Sequence, residues 1–301
     1  MSLIPFDDRD GMIWFNGSLV PWRDAKVHVL THGLHYASSV FEGERAYGGS
    51  IFKLTEHTER LFKSAEILDF SIPYTIEEID AACYEVMQAN NIVDGYVRPV
   101  AWRGSEMMGV SGQANKINVA IAAWEWPAYF SPEAKMKGLK MTISDWRRPA
   151  PNTAPTNSKA AGLYMICTLS KHKAEAAGFN DALMLDYRGF VAEATGANIF
   201  FLIDGKLHTP TPDCFLNGIT RRTTIDIARA EGFEVIERHI EPDEMAKATE
   251  AFLTGTAVEV TPIASIDNYT FTPGAVCRQL MEAYETTVRR PLEEKRQANA
   301  G

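Results

Sequence analysis

The sequence has few cysteines and no long hydrophobic run, and these absences narrow the class of protein. The four cysteines stand far apart and form no C-x-x-C pair, so they predict no disulfide framework: Cys83, Cys167, Cys214 and Cys277. No stretch approaches the roughly 20 apolar residues of a membrane-spanning helix. The first residues, MSLIPFDDRDG, lack the apolar core of a signal peptide. We therefore expect a protein of a reducing compartment, the cytoplasm.

Clustered positive charge is also absent. The 301 residues carry a formal net charge of −9, which argues against nucleic acid or an anionic membrane as the main partner. A local basic pocket for a small anion stays compatible with this balance. The dinucleotide-binding motif G-x-G-x-x-G is missing, and no metal site is predicted. The chain is long enough for two domains.

Turn signals and helical periodicity predict a mixed α and β region in the first half of the chain. The Asn-Gly pair at 16–17 and the Gly-Gly pair at 48–49 are flanked by apolar runs, which is typical of β-hairpins. Thr55 is predicted to cap a helix over EHTERLFKSAEIL, and Thr75 with Glu78 to form a capping box before a second helix. GYVRPVAWRG and KINVAIAAWEW are predicted strands.

The second half begins with a predicted connector, PAYFSPEAKMKG, and a strand, LKMTISDW. A helix is expected over about 159–177, followed by strands with turns at 186–189 and 204–205. ITRRTTIDIARAEGF, PDEMAKATEAFL and AVCRQLMEAYETTVRR are predicted helices. We therefore expect an α+β protein with two mixed lobes, each built on a mainly antiparallel sheet.

Lys159 stands out because SKAAGLY places it among small residues, directly after a loop rich in proline and asparagine. It is therefore expected at the start of the helix that follows. Most lysines are solvated surface residues. Small neighbours, however, let a ligand approach the backbone closely, and a partly desolvated lysine attacks carbonyls to give a Schiff base. Lys159 is thus a candidate nucleophile.

One acidic residue and two glycine-containing turns are further candidate binding groups. Glu193 lies in the apolar segment VAEATGANIFF, where a buried acid needs a cationic partner. NGITRRTT places Gly218 just before a predicted helix start, where free N–H groups bind phosphate. LTGTAVE offers a second such turn, with Gly255 and Thr256. Each feature also has an ordinary structural explanation. Glu193 fits a carboxylate on an edge strand, and the two glycine segments fit a helix N-cap or a tight turn. A lysine, an acid and a phosphate cup are together the parts of a pyridoxal phosphate (PLP) site.

Several motifs in the same order resemble the fold-type IV PLP enzymes: PNTAPTNSKAAGLY, EATGANIF, NGITR and FLTGTAVEVTPI. KVHVLTHGLHYASSVFEGERAY and GYVRP resemble, more narrowly, the branched-chain amino acid aminotransferases. The resemblance runs from about Trp14 to Ile263. It implies the D-amino acid aminotransferase-like α+β fold, with a small domain at 1–128, an interdomain loop at 129–138 and a PLP-binding domain at 139–301.

The resemblance also implies roles in cofactor binding. Lys159 would form the Schiff base with PLP and act as the general base, Glu193 would bind the pyridine nitrogen, and Tyr164 the ring oxygen. Arg60 would belong to the phosphate cup and Asn198 would be a support. The full implied set is Arg60, Lys159, Tyr164, Glu193, Asn198, Gly218, Ile219, Thr220, Gly255 and Thr256.

For the substrate, the resemblance implies a pocket that accepts leucine, isoleucine, valine and then glutamate, in ping-pong transamination with 2-oxoglutarate. Arg98 would hold the second carboxylate of glutamate. In the family, Tyr36 and Val110 reach in from a second subunit, so a homodimer or an assembly of dimers is expected. The implied set is Tyr36, Phe41, Gly43, Arg45, Tyr96, Arg98, Val110, Trp126, Tyr129, Thr256 and Ala257.

Other activities use the same scaffold: D-amino acid transamination, R-amine transamination and aminodeoxychorismate lysis. A PLP-binding protein without turnover is a further alternative. Asn157 and Ser158 before the lysine, and Thr195 in EATGAN, depart from the family pattern and raise the question whether they tune the pocket. Glu44 beside Arg45 in FEGER raises a second question, whether it offsets the charge of that arginine if both face the pocket.

Overall fold

The computed structural model describes residues 4–126 and 135–298, with side chains up to Arg290. Contacts divide the chain into two compact units, Met1–Pro127 with Ser158–Gly162, and Ala128–Asn157 with Leu163–Gly301. Among the described residues, no helix has the length and apolar character needed to cross a bilayer. Each unit is described below by itself.

The N-terminal unit is an antiparallel sheet whose two longer helices pack against one face. The strands in its described part are β1 (Met12–Phe15), β2 (Ser18–Pro21), β3 (Ser39–Phe41), β4 (Glu44–Tyr47), β5 (Ser50–Ile51), β6 (Gly95–Arg103) and β7 (Ile117–Glu125). The helices are α1 (His32–Tyr36), α2 (Leu54–Ile67) and α3 (Ile76–Ala89). The sheet order is β2-β1-β7-β6-β4-β5, with β3 also on β6. Alternate residues of β6 and β7, such as Val97 and Ile121, are fully buried in a core shared with α2 and α3.

Local sequence signals in this unit are largely confirmed. The hairpin at 16–17 joins β1 to β2, and the hairpin at 48–49 joins β4 to β5. The capping box is present, since Thr75 Oγ1 accepts from the Glu78 N–H while Glu78 Oε2 accepts from the Thr75 N–H. The predicted cap at Thr55 is wrong. Helix α2 begins at Leu54 with Lys53 as its N-cap residue, and the Thr55 hydroxyl instead donates to Asp80 of α3 at 2.7 Å.

The C-terminal unit is built on one large mixed sheet. The strands described there are β8 (Leu139–Arg148), β9 (Asp181–Asp186), β10 (Val191–Ala194), β11 (Asn198–Ile203), β12 (Lys206–Pro210), β13 (Val235–Arg238), β14 (Ala248–Gly255), β15 (Glu259–Ile266) and β16 (Tyr269–Thr270). The helices are α4 (Met165–Ala176), α5 (Ile219–Ala230) and α6 (Ala275–Ala298).

The strand order in this unit is β10-β9-β8-β15-β14-β11-β12-β13, with β16 on β15. Because β10 also pairs with β11, six of the strands close into a barrel. Most pairs are antiparallel, but β8 runs parallel to both β9 and β15, and β12 runs parallel to β13. The predicted α+β class is confirmed, and the closed barrel places the ends of β10, β11 and β14 side by side.

Two predicted helices differ in the structure. The helix expected from 159 begins at Met165, after a 3-10 turn over Ala161–Tyr164. The expected helix PDEMAKATEAFL is a 3-10 turn over Pro242–Lys247 followed by strand β14. Strand β14 pairs with β11 on one side and β15 on the other, and this pairing overrides the local helical pattern.

The segment that carries Lys159 groups with the N-terminal unit, although the sequence assigns 139–301 to one domain. The reason is a short extended stretch in which Ala160 forms a β-bridge with Val40. Most of the predicted loop at 129–138 lies outside the described residues, so the predicted domain boundaries stay predictions.

Candidate active site

Lys159 is anchored by its backbone on both sides. Its N–H donates to Ser64 Oγ at 3.0 Å, and its carbonyl accepts from the Phe41 N–H at 3.2 Å. The fully buried Ser158 donates to the Ser64 carbonyl, while Asn157 is exposed. Ser158 therefore fixes the segment rather than lining a pocket. The expectation that Lys159 opens a helix is wrong, and an extended stretch is what holds its main chain.

The Lys159 ammonium lies 4.9 Å from the centre of the Phe41 ring, and the Arg98 guanidinium carbon lies 4.7 Å from the same ring. Arg98 also donates from Nη2 to the Tyr96 hydroxyl at 3.2 Å. Gly43 makes room for this hydroxyl, because a Cβ atom at position 43 would collide with Tyr96 Oη. Five residues predicted from the sequence are therefore brought together in the N-terminal unit.

Aromatic rings extend this group along the sheet. Tyr96 stacks on Trp124 with ring centres 5.1 Å apart, and Trp126 lies 5.3 Å from Tyr96. Arg45 is buried, and its guanidinium carbon lies 5.1 Å from the centre of the Tyr47 ring. The predicted site residue Tyr129 lies outside the described residues.

Arg60 is held by a buried carboxylate that the sequence did not single out. Glu42, fully buried, accepts from Arg60 Nε at 2.6 Å and from Arg60 Nη2 at 2.8 Å. Its second oxygen also lies 2.7 Å from Nδ1 of the buried His57. Burial by itself would raise the pKa of Glu42, but Arg60 and His57 outweigh it and hold that pKa well below its usual value.

The imidazole of His57 completes this cluster as a neutral group. Burial lowers the pKa of His57, and the nearby charge of Glu42 offsets only part of that effect. At neutral pH the ring therefore donates a neutral N–H to Glu42. The cluster then carries one positive charge, on Arg60, and one negative charge, on Glu42.

Glu44 belongs to the buried side of the same sheet. Successive strand residues point to opposite faces, so Glu44 and Arg45 of β4 do not share a side, and Glu44 does not offset the charge of Arg45. Burial raises the pKa of Glu44 well above its usual value, and the charges of Glu42 and Asp80 raise it further. Glu44 is therefore a neutral acid in the folded protein.

This burial predicts a pH-dependent gain in stability for Glu44→Gln. In the unfolded chain Glu44 ionises above its ordinary pKa of 4.5, but in the fold it stays protonated beside Glu42, Asp80, Cys83 and Arg60. Unfolding thus releases a proton, and wild-type stability falls as pH rises through this window, by up to about 1.4 kcal/mol per pH unit. Glutamine lacks this proton release, so the advantage of the variant grows from pH 6 to pH 8 in urea unfolding of the cofactor-free protein. An advantage that is constant across this range would contradict a neutral Glu44.

In the C-terminal unit, Glu193 of β10 is mostly buried and lies between two partners. Arg148 Nε is 3.5 Å from Glu193 Oε1, with side-chain exposures of 5% and 13% for the two residues. Asn198 donates from Nδ2 to Glu193 Oε2 at 3.1 Å. A mostly buried acid with a cationic neighbour and an amide donor fits the role of partner for a protonated ring nitrogen.

Asn198 links this acid to the start of helix α5. Its Oδ1 accepts from the Gly218 N–H at 3.2 Å. Gly218 has an ordinary φ of −58°. Glycine is required because a Cβ atom would collide with Asn198 Oδ1. Because Gly218 has no side chain that could cap the helix, the first-turn N–H groups of Ile219 and Thr220 can donate to an anion at the helix N-terminus.

Strand pairing brings the turn after β14 close to the start of helix α5, because β14 pairs with the strand that carries Asn198. Thr254 pairs with Asn198, and Gly255 follows it at the end of the strand. The buried Thr254 hydroxyl has no hydrogen-bond partner among the described residues. Thr256 is half-buried and Ala257 is exposed, in the turn between β14 and β15. These residues surround one end of the closed barrel.

The remaining predicted residues are placed as follows. Tyr164 ends the 3-10 turn before α4 and is half-buried. Tyr36 is 44% exposed and Val110 is 86% exposed, both in the N-terminal unit. Exposure of this degree is unusual for large apolar side chains unless another surface covers them.

The donor set of the C-terminal unit fits PLP. A carboxylate next to a cation suits a protonated ring nitrogen, and a helix N-terminus without a side-chain cap suits a phosphate. One asparagine holds both of them, and an unsatisfied buried hydroxyl at Thr254 lies beside them. Sequence analysis missed Glu42, His57 and Arg148. Of the three, Glu42 alone had a local signal, because it lies between the sequence-identified Phe41 and Gly43.

Comparison with known proteins agrees with this geometry. The family model for amino-transferase class IV matches residues 39–266. The chain belongs to the class IV aminotransferases. A branched-chain-amino-acid aminotransferase of Pseudomonas aeruginosa is 45% identical over 284 residues, 92% of each chain. The corresponding enzyme of Escherichia coli K12 is 42% identical over 261 residues, 85% of this chain and 84% of that enzyme.

Solved structures of branched-chain amino acid aminotransferases share this fold. The T.th. enzyme with pyridoxamine 5'-phosphate superposes with a TM-score of 0.90 at 42% identity, covering 93% of this chain and 94% of that one. The same enzyme in complex with N-(5'-phosphopyridoxyl)-L-glutamate gives a TM-score of 0.88 at 41% identity, with the same coverage. The resemblance recognised in the sequence is thereby confirmed.

Proposed function

We propose that this class IV aminotransferase transfers the amino group of L-leucine, L-isoleucine or L-valine to 2-oxoglutarate in a PLP-dependent ping-pong reaction. The products are the branched 2-oxo acids and L-glutamate. The structural observation that carries the proposal is that Lys159 and Arg98 both lie against the Phe41 ring, 4.9 and 4.7 Å from its centre. Lys159 would serve the chemistry, and Arg98 would bind a carboxylate. The names of its relatives support the same substrates.

The cofactor, when bound, supplies an electron sink for the bond that breaks at the amino acid's α-carbon. Lys159 would bind it covalently through its aldehyde, as the resemblance implies. Glu193, 3.5 Å from Arg148, would hold the proton on the ring nitrogen. The N–H groups of Ile219 and Thr220, with Thr256 and Arg60, would bind the phosphate. Tyr164 would donate to the ring oxygen.

Lys159 has a second role in proton transfer. As general base, the Lys159 amine would remove the α-proton of the amino acid and hold it for its later return. The fixed backbone between Ser64 and Phe41 gives the side chain one anchor from which to move. Its flexible four-carbon stem allows this motion while the main chain stays in place.

The substrate pocket must accept both aliphatic side chains and a carboxylate. We propose that Phe41, Tyr96 and Trp126 supply the apolar walls for leucine, isoleucine and valine. Arg98, oriented by its hydrogen bond to Tyr96, would bind the second carboxylate of glutamate. The backbone N–H groups of Thr256 and Ala257 would bind the α-carboxylate common to all substrates.

Gly43→Ala should impair glutamate more than leucine. The added methyl group displaces the Tyr96 hydroxyl, and Arg98 then loses its orienting partner. Since a hydrogen bond to a charged group contributes about 1.5–3 kcal/mol, we expect KM for L-glutamate to rise about tenfold or more. L-Leucine has no second carboxylate and serves as the internal control. Equal changes in KM for both donors would contradict the role of Arg98.

We also propose a homodimer, or an assembly of dimers, in which Tyr36 and Val110 reach the partner's active site. The two residues lie on connected segments, because His32 Nε2 is 2.9 Å from the Gly109 carbonyl and the His32 ring is 4.7 Å from Tyr36. Other large apolar side chains of this unit are at least 45% exposed as well: Val27, Val29, Leu30, Leu34, Met107 and Met108. A partner subunit would cover them. An active monomer in a sedimentation dilution series would contradict this.

A cytoplasmic location is part of the proposal. All four cysteines are buried and unpaired, which suits a reducing compartment. Fractionation of cells that produce the protein from its own gene would test this.

Two-substrate kinetics test the reaction type directly. With L-leucine and 2-oxoglutarate varied together, a ping-pong transfer gives parallel lines in double-reciprocal plots, with 4-methyl-2-oxopentanoate and L-glutamate formed in equal amounts. Intersecting lines would exclude the ping-pong sequence. Release of pyruvate from aminodeoxychorismate would replace the proposal with a lyase.

A further inference from the structure

The cluster around Glu42 has a geometry that general stability does not explain. Glu42 binds Arg60 through Nε and Nη2, so the remaining terminal nitrogen, Nη1, is directed away from the carboxylate. Such a two-point pair fixes the plane of the guanidinium as well as its position. Buried ion pairs contribute little to net stability, since desolvation offsets their attraction.

Glu42 is itself held rigidly from several sides. Its backbone N–H donates to the Pro99 carbonyl of β6 at 2.8 Å, and its side chain is fully buried. His57 contacts the second carboxylate oxygen at 2.7 Å, and His57 and Arg60 both lie on α2. The carboxylate is therefore clamped between a strand and a helix, which leaves it a single orientation.

Arg60, by contrast, needs such a support. An arginine side chain has many rotamers, and the Arg60 side chain is 17% exposed here, so it is not fixed by burial alone. A phosphate-binding guanidinium is effective when its direction is fixed before the ligand arrives.

We propose that Glu42 is a positioning residue that fixes the Arg60 guanidinium in advance for the phosphate of the cofactor. This inference rests on the proposed function, in which Arg60 belongs to the phosphate cup. His57 assists by donating to the carboxylate oxygen that Arg60 Nη2 also uses. Glu42 touches neither substrate nor cofactor in this account and acts through Arg60 alone.

Charge and positioning make opposite predictions for Glu42→Gln. Removing a negative charge near a phosphate would, by charge alone, strengthen phosphate binding. Losing the two-point pair with Glu42 leaves the Arg60 guanidinium without a fixed direction, and this loss weakens phosphate binding. A weaker affinity can therefore only come from lost positioning, and the sign of the change is the test.

Pyridoxamine phosphate is the suitable probe because it binds without the covalent bond to Lys159. We would measure its rate of release from the full-length holoenzyme, and the ³¹P chemical shift of the bound phosphate, for Glu42→Gln, Arg60→Gln and the double variant. Glu44→Gln is the matched control, since Glu44 is a second fully buried glutamate two residues along the chain that makes no hydrogen bond to Arg60.

We expect Glu42→Gln to release the probe at least tenfold faster, with a shifted ³¹P signal, while Glu44→Gln stays within twofold of wild type. In the Arg60→Gln background, Glu42→Gln should add no further loss. Unchanged or slower release in Glu42→Gln, or an additive loss in the double variant, would overturn the proposal. The proposed function would stand in that case, provided that wild type still binds the probe and reacts with L-leucine. A wild type that binds no pyridoxamine phosphate would refute the proposed function itself.

A measurement on the wild type covers the case in which Glu42→Gln does not fold. The Nε–H of Arg60, assigned by its loss in Arg60→Lys, should exchange slowly with water both with and without cofactor, because Glu42 holds it in either state. Protection that appears only after the cofactor binds would show that Arg60 is not fixed in advance, and would overturn the proposal.

Discussion

Lys159→Ala is expected to lower the rate of amino transfer by about 10⁴-fold or more, because one change removes both the covalent attachment point and the general base. The fold should survive. The segment is held by the Lys159 backbone N–H and carbonyl, and alanine keeps both contacts. The purified variant should lack the visible absorbance of lysine-bound PLP while keeping a wild-type circular dichroism spectrum.

Lys63→Ala is the matched control for this variant. Lys63 lies in the same unit, but its side chain is 64% exposed and pairs with Glu66 of the same helix. Its loss should leave turnover unchanged. Full activity in Lys159→Ala would refute the assignment of the nucleophile and, with it, the mechanism.

Glu193→Gln is the second change with a large expected effect. Glutamine cannot hold a proton on the ring nitrogen, so we expect kcat to fall by about 10²- to 10³-fold. Stability should fall too, since Arg148, 3.5 Å away and 5% exposed, is left as an uncompensated buried charge. Breaking a buried pair in this way costs about 3–5 kcal/mol. Single-turnover kinetics and urea unfolding measure the two effects separately.

Glu250→Gln separates chemistry from stability in that experiment. Glu250 is another buried glutamate of the C-terminal unit, and it accepts from the Cys277 N–H at 2.8 Å near the start of α6. We expect this variant to lose stability but to keep its turnover per folded molecule. A Glu193→Gln enzyme with wild-type kcat, or a Glu250→Gln enzyme with a comparable loss of kcat, would argue against a special role for Glu193.

The sequence predicted the parts of the fold that depend on local chemistry. The Thr75–Glu78 capping box and the hairpin at 16–17 require only a few neighbouring residues, and both are present. The start of the helix after Lys159 was wrong because the bridge between Ala160 and Val40 is a contact between distant segments. Strand β14 was missed for the same reason, since its neighbours β11 and β15 decide its conformation.

In the candidate site, too, the sequence predicted individual residues but not the contacts between distant segments. Motif resemblance identified Lys159 and Glu193, and the structure brings the sequence-identified Phe41, Tyr96 and Arg98 to one place. The partners that hold these groups were not predicted. Arg148 is 45 residues from Glu193 along the chain, and only the folded barrel reveals that the two are neighbours.

A half-reaction without an amino acceptor tests the central claim most directly. The holoenzyme would be mixed in turn with L-leucine, L-glutamate, D-alanine and an R-arylamine, and the conversion of lysine-bound PLP to pyridoxamine phosphate would be followed by absorbance. The account predicts fast conversion with L-leucine and L-glutamate only. Conversion with D-alanine or the amine instead would keep the fold and the cofactor site, but would contradict the proposed roles of Tyr96 and Arg98 and the branched-chain function.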